Sequence, residues 1–258
     1  MAELRADGKR VLVTAGASGI GRVIAETLLD AGAKIHICDI DQPALASFRQ
    51  AWPEAGATLA DVANDTQVDR LFHEAGSGLG GLDALVNNAG IAGPTGAIED
   101  IDPAEWRRCL EVGLTSQFLC ARRAVPMLKA AGGGAMVNIS SVAGRLGYPF
   151  RTPYAAAKWG VIGLTQSLAK ELGPSNISVN AILPGLVEGP RIEGVIRARA
   201  QTLGISFEEM EKQYLERVSL RRMVSPNDVA NMVLFLVSPF GRNISGQSLS
   251  VCGNVETL

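Results

Sequence analysis

Residues 10–21 read RVLVTAGASGIG, and the fold is decided there. The first five form the short β-branched, apolar run of a buried strand, and residues 19–31 have the apolar spacing of an amphipathic helix. Between strand and helix stand Gly16, Ser18, Gly19, Ile20 and Gly21. Glycines at such a turn let the main chain double back tightly and come close to a diphosphate, which the positive N-terminus of the following helix attracts. Asp39 lies eighteen residues beyond Gly21, at the end of a second apolar run. A carboxylate there accepts hydrogen bonds from an adenosine ribose and repels a 2′-phosphate, and no arginine stands beside it to reverse that preference. These residues point to NAD rather than NADP.

The same alternation continues to the end of the chain. Strands are expected at 10–14, 34–39, 57–60, 84–87, 135–139, 178–182 and 248–251. Helices are expected at 19–31, 43–51, 66–77, 103–131, 153–172 and 226–236, the last opening on the cap and first-turn pair Ser225-Pro226. Strands alternating with helices pair in parallel through crossovers. The expected fold is therefore α/β, a doubly wound parallel seven-stranded sheet with helices on both faces. No linker, charge run or internal repeat divides the chain, so it reads as one domain, 1–258, with an insertion at about 187–222 rich in charge and helix formers.

With 47% apolar and 19% charged residues, the chain has the composition of a globular protein with a large core. A formal net charge of −2 gives no basic footprint for nucleic acid. There is no uninterrupted apolar run long enough for a membrane span and no signal-peptide pattern at the start, so a cytoplasmic location is expected. Cys38, Cys109, Cys120 and Cys252 form no C-x-x-C pair, and the first three lie in apolar-rich segments that suggest buried thiols. His36 and His73 stand far apart without a flanking ligand cluster, so no metal is expected.

Further along come Asn87-Asn88-Ala89-Gly90, then Ser141, then Tyr154 and Lys158. Tyr154 and Lys158 are one helical turn apart and share a face. A free phenol, with a pKa of about 10, is a poor proton carrier at neutral pH. A neighbouring ammonium favours its anion, so the tyrosine can serve as base in an oxidation and as acid in a reduction. A serine hydroxyl on the substrate oxygen orients it and shares developing charge. In this order and spacing, the glycine turn, Asn87–Gly90, Ser141 and Tyr154-x-x-x-Lys158 resemble the short-chain dehydrogenase/reductase family over essentially the whole chain.

That resemblance implies a Rossmann fold that interconverts secondary alcohols and ketones, with Ser141, Tyr154 and Lys158 as catalytic residues. It places Asp61 and Val62 at the adenine, and Asn88 and Gly90 along the cofactor. Tyr154 and Lys158 fall at the nicotinamide ribose, and Pro184, Gly185 and Val187 at the carboxamide. It also implies a homotetramer built on helices 103–131 and 153–172 and on the last strand. The sequence departs from the family at three positions: Ala15 replaces the first glycine of the turn, Gly113 the helix asparagine, and Gly189 a threonine after strand six. Cys252-Gly253-Asn254 also replaces the usual Asp-Gly-Gly.

Substrate contacts in the family come from the segments that here are 92–97, 144–151 and 189–222. Arg151, three residues before Tyr154, resembles the substrate-binding lysine of 3-hydroxybutyrate dehydrogenases and can grip a carboxylate with two prongs. A solvated loop arginine is the other reading. Arg191, Arg197 and Arg199 have helix-surface spacing, with room for one to turn inward, while Tyr148 and Phe150 either line an apolar wall or anchor their loop. Three functions follow. The first is an NAD-dependent dehydrogenase of a small hydroxy acid or sugar-derived alcohol. The second is an NADPH-dependent 3-oxoacyl-thioester reductase, which Asp39 opposes. The third is a regulatory cofactor-binding protein without turnover, favoured only by Gly113.

Overall fold

The computed structural model describes residues 4–255; positions 1–3, where the N-terminal reading began, lie outside them. β1 (Arg10–Thr14) forms the middle of the sheet. On one side it pairs in parallel with β2 (Lys34–Asp39), and β2 with β3 (Gly56–Leu59). On the other side follow β4 (Ala84–Asn87), β5 (Gly134–Ile139), β6 (Ile177–Pro184) and β7 (Ser248–Val251). The order is β3-β2-β1-β4-β5-β6-β7, parallel throughout. The winding reverses between β1 and β4, and an open α/β sheet has its binding crevice at such a reversal, beyond the carboxyl ends of the strands.

The strands alternate their side chains between two cores, as a period of two requires. Val11 and Val13 join the core beneath α1 (Gly19–Asp30) and α9 (Pro226–Val237). Leu12, between them, joins the opposite core, against α3 (Asp65–Leu79). α2 (Gln42–Ala51) closes the first layer at the β2–β3 edge, while α6 (Thr152–Leu172) packs beside β6. The expected buried thiols Cys38, Cys109 and Cys120 are buried.

One expected element is divided. The helix foreseen over 103–131 consists of α4 (Pro103–Leu110), a π-helical segment at Glu111–Thr115, and α5 (Ser116–Ala130). Gly113 lies within the π segment, against α6: a Cβ there would come within 3.1 Å of the Ala157 Cβ. The π segment thus sits at the contact between the helix and α6, and such bulges are a recognised cause of helix distortion.

The insertion folds into α7 (Pro190–Leu203) and α8 (Phe207–Glu216). These helices have a small core of their own, in which Leu186, Ile196, Met210 and Tyr214 are buried. No helix among the described residues is long and apolar enough to cross a membrane.

His36, on β2, is buried, with Nε2 2.8 Å from the Thr58 hydroxyl. Its ring fills the space above Gly56, where a Cβ would meet Nδ1 at 2.2 Å. Burial lowers its pKa from 6.5 to about 4, against the pull of Glu74. Above pH 6.5 both folded and unfolded chains hold it neutral, and its contribution to stability is complete. As pH falls from 6.5 toward 4 the unfolded chain takes up the proton first, so stability declines, by about 3 kcal/mol over the full window. Urea unfolding at pH 7.5 and pH 4.5 should show His36→Gln losing less stability than wild type. Equal losses in the two proteins would contradict this account.

Candidate active site

The crevice forms where the glycine turn meets the end of β4. Thr14 Oγ1 accepts the main-chain N–H groups of Asn88 and Ala89 at 2.9 and 3.0 Å. The Asn88 amide donates back to the carbonyls of Thr14 and Ala15 at 3.0 and 3.1 Å. Gly21 admits this closeness, because a Cβ there would lie 2.0 Å from the Ala15 carbonyl oxygen. Ala15 itself takes φ +50°, a left-handed conformation that costs an alanine roughly 1–2 kcal/mol. Ser18 occupies the N-cap of α1, yet its side chain makes no capping bond. The first N–H groups of α1 therefore open into the crevice, which suits an anion.

Asp39 stands beside the turn. One carboxylate oxygen accepts from Ala17 N at 3.1 Å, and the other from Ile40 N and Asp41 N at 2.8 and 3.2 Å. No ion pair engages it among the described residues. Asp61 pairs instead with Arg108 of α4 at 2.9 Å, and Val62 is buried in the second core. Gly16 packs against Ile37, within 2.6 Å of a would-be Cβ. These four positions lie outside the lining of the central cleft. The other sequence candidates line it: Ser18, Gly19, Ile20, Gly21, Asn88, Gly90, Ser141, Arg151, Tyr154, Lys158, Pro184, Gly185 and Val187, around about 500 Å³.

A buried polar ladder holds α6 against the sheet. The Asn87 amide donates to Asn138 Oδ1, and the Asn138 amide donates to Thr165 Oγ1, both at 2.9 Å. Closer to the cleft, Ser140 Oγ donates to the Lys158 carbonyl at 2.8 Å, and Lys158 Nζ donates to the Ile139 carbonyl at 2.9 Å. Gly144 allows the turn at Val142–Gly144 to lie on α6, since a Cβ would meet the Lys158 carbonyl at 2.6 Å. The Ile139 carbonyl also faces Gln117 Nε2 at 3.4 Å, and Gln117 Oε1 is buried without a partner. Sequence reasoning passed over Gln117, Ser140 and Asn138. The available signal was a polar residue in an otherwise apolar core run.

Burial alone would raise the Tyr154 pKa. Lys158, Arg191, a hydrogen bond with Ser141 and Arg151 together outweigh it and hold the phenol below its ordinary value. Burial likewise lowers Lys158, while Tyr154 pulls the other way. The Tyr154 ring centroid lies 5.1 Å from the Arg151 guanidinium carbon, 5.7 Å from Lys158 Nζ and 6.0 Å from the Arg191 guanidinium carbon.

Arg151 is no solvated loop arginine. It is 4% exposed, lies over Tyr148 as well as Tyr154, and donates to the Ala92 carbonyl at 2.6 Å. Arg191 is the arginine of the insertion that reaches inward, donating to the Gly90 carbonyl at 3.2 Å. Tyr148 lines the cleft and meets the Tyr214 hydroxyl of α8 at 3.4 Å, whereas Phe150 is exposed. Gly189 adopts φ +132°, a conformation closed to the threonine expected there by resemblance. Among the described residues no group of three or more His, Cys, Asp or Glu is placed to hold a metal ion.

The family model described as "Enoyl-(Acyl carrier protein) reductase" matches residues 14–254. The chain is 36% identical to a cis-4-hydroxycyclohexanecarboxylate dehydrogenase of Sinomonas cyclohexanicum, covering 96% of each chain. It is 33% identical to a D-beta-hydroxybutyrate dehydrogenase of Rhizobium meliloti, covering 95% of this chain and 97% of the relative. The structure of a 7 alpha-hydroxysteroid dehydrogenase complexed with NADH and 7-oxo glycochenodeoxycholic acid superposes with a TM-score of 0.90. That enzyme is 33% identical, and the match covers 99% of this chain and 98% of the other.

Proposed function

Because this chain belongs to the short-chain dehydrogenase/reductase family, oxidoreductases acting on CH–OH groups, we propose that it is an NAD-dependent dehydrogenase of a hydroxy acid. The observation that carries the reading is the convergence of the buried Ser141, Lys158 and Arg151 on the half-buried Tyr154, in a cleft that begins at the open N-terminus of α1. The uncapped helix start and the glycine turn suit a pyrophosphate, and Asp39, without a cationic partner among the described residues, suits a ribose without a 2′-phosphate. Asn88, Gly90, Pro184, Gly185 and Val187 would hold the nicotinamide half, with Asp61 and Val62 toward the adenine. The same Asp39 weighs against the NADPH-dependent thioester reductase. The intact Ser141, Tyr154 and Lys158 weigh against a regulatory protein without turnover.

When bound, the oxidised nicotinamide supplies the acceptor for the hydrogen and electron pair that leave the alcohol carbon. The Tyr154 phenolate takes the hydroxyl proton. Ser141 Oγ donates to the substrate oxygen and keeps it in line with the phenol. Lys158, held by the Ile139 carbonyl, would stabilise the phenolate and hold the nicotinamide ribose. Arg151 has its Nε buried without a partner and would take the substrate's carboxylate. The names of the first two relatives, both hydroxy-acid dehydrogenases, support that choice.

We read residues 1–258 as one domain acting in the cytoplasm as a homotetramer. Phe118 on α5 and Trp159 on α6 are 49% and 52% exposed, on the two helices expected to pack against their copies. Light scattering at micromolar concentration should give four chains, and a stable monomer would contradict the assembly.

A panel of hydroxy acids and matched neutral alcohols, assayed with NAD⁺ and with NADP⁺, tests the chemistry. Acids with NAD⁺ should be preferred. Tyr154→Phe should abolish turnover while NADH still binds, because only the hydroxyl is removed. NADP⁺ preference, or substantial activity in the mutant, would sink the reading.

A further inference from the structure

Three cations converge on one phenol, and none has an acidic partner among the described residues. Arg151 comes from the loop entering α6, Lys158 from one turn along that helix, and Arg191 from the first turn of α7. Arg151 is buried, with one hydrogen bond to a neutral carbonyl and an unsatisfied Nε. A buried guanidinium in that condition is costly until an anion joins it. Arg191 donates across the cleft to the Gly90 carbonyl, at 3.2 Å. Among the described residues the only carboxylate lining the cleft is Glu188, which is exposed and makes no ion pair with any of them.

We propose that a single oxyanion on the substrate, a carboxylate or a group of like geometry, bridges Arg151 and Arg191 and so clasps α7 onto the catalytic wall. The inference deepens the hydroxy-acid reading and rests on it. α7 can act as a lid because its buried residues Ile196 and Ala200 pack with α8 rather than in either sheet core. Gly189 at φ +132° and Gly204 at φ +67° bound it at its two ends. An anion entering between the two arginines forms charge-assisted bonds, stronger than the neutral bond that Arg191 now makes. A neutral alcohol of the same shape fills the cleft but leaves α7 untied. Substrate choice is then coupled to closure: the acid group that identifies the substrate also excludes water from Tyr154.

The test uses the NADH complex with two probes that cannot react, cyclohexanecarboxylate and cyclohexanecarboxamide. It measures affinity by titration and amide hydrogen exchange over Pro190–Leu203. The acid should bind wild type, slow exchange across α7, and lose about tenfold in affinity in Arg191→Met. In that variant the acid should no longer slow the exchange. The amide should slow it in neither protein. Acid affinity and exchange protection that survive in Arg191→Met overturn the clasp. If Arg151→Met nonetheless weakens the acid, the hydroxy-acid reading stands without the clasp. Acid and amide binding alike to wild type overturn both. Should Arg151→Met fail to fold, Arg191→Met still decides the clasp, since Arg191 is exposed and its loss leaves no buried gap.

Discussion

Lys158 Nζ donates to the Ile139 carbonyl at the end of β5, while the Lys158 carbonyl accepts from Ser140 one residue along. The last residue of β5 and the one just beyond it thus hold both the side chain and the main chain of a single helical residue. This double grip sets the position of α6 along the sheet, and the helix then carries Tyr154 one turn away. A buried amine has few alternative partners, so its place is fixed, while the same burial pulls its pKa down and Tyr154 opposes that pull. Deeper in the core the Asn87–Asn138–Thr165 ladder ties β4 and β5 to the same helix.

The electrostatic character of the site follows from that fixing. A phenol partly withdrawn from water resists ionisation, and one lysine competes with this resistance only in part. Arg151 and Arg191 complete the field, from a loop and from a helix that the sheet core does not hold. The cleft is therefore cationic before any substrate arrives. The acid group of the proposed substrate would answer a charge that the cleft's cations leave unbalanced.

The sheet was legible because each strand is a short β-branched or apolar run between turn residues, and β1, β2, β4 and β7 lie within the expected bounds. The glycine turn and the Tyr154–Lys158 spacing were legible for the same reason: local geometry alone requires them. The division of the helix at Glu111–Thr115 was not, because the π segment coincides with a contact across to Ala157 rather than with any local signal. Nor was the burial of Arg151 or the inward reach of Arg191, since a long side chain's direction depends on what the tertiary fold sets before it. The departures at Ala15 and Gly189 proved to concern backbone conformation: the first is strained at φ +50°, and the second takes a conformation that its glycine permits.

The central claim is that the surrounding cations, against the opposition of burial, keep the Tyr154 phenol ready to lose its proton. The direct measurement is the pH dependence of alcohol oxidation at saturating NAD⁺, in wild type and in Arg191→Met. With the phenolate as the proposed base, the rate should rise with pH and level off above the apparent pKa of the interacting Tyr154–Lys158 pair. That value should lie below the ordinary 10.0 of a phenol in wild type and move upward when Arg191 is lost. A titration at or above 10.0 in wild type, or one that Arg191→Met leaves in place, would contradict the account.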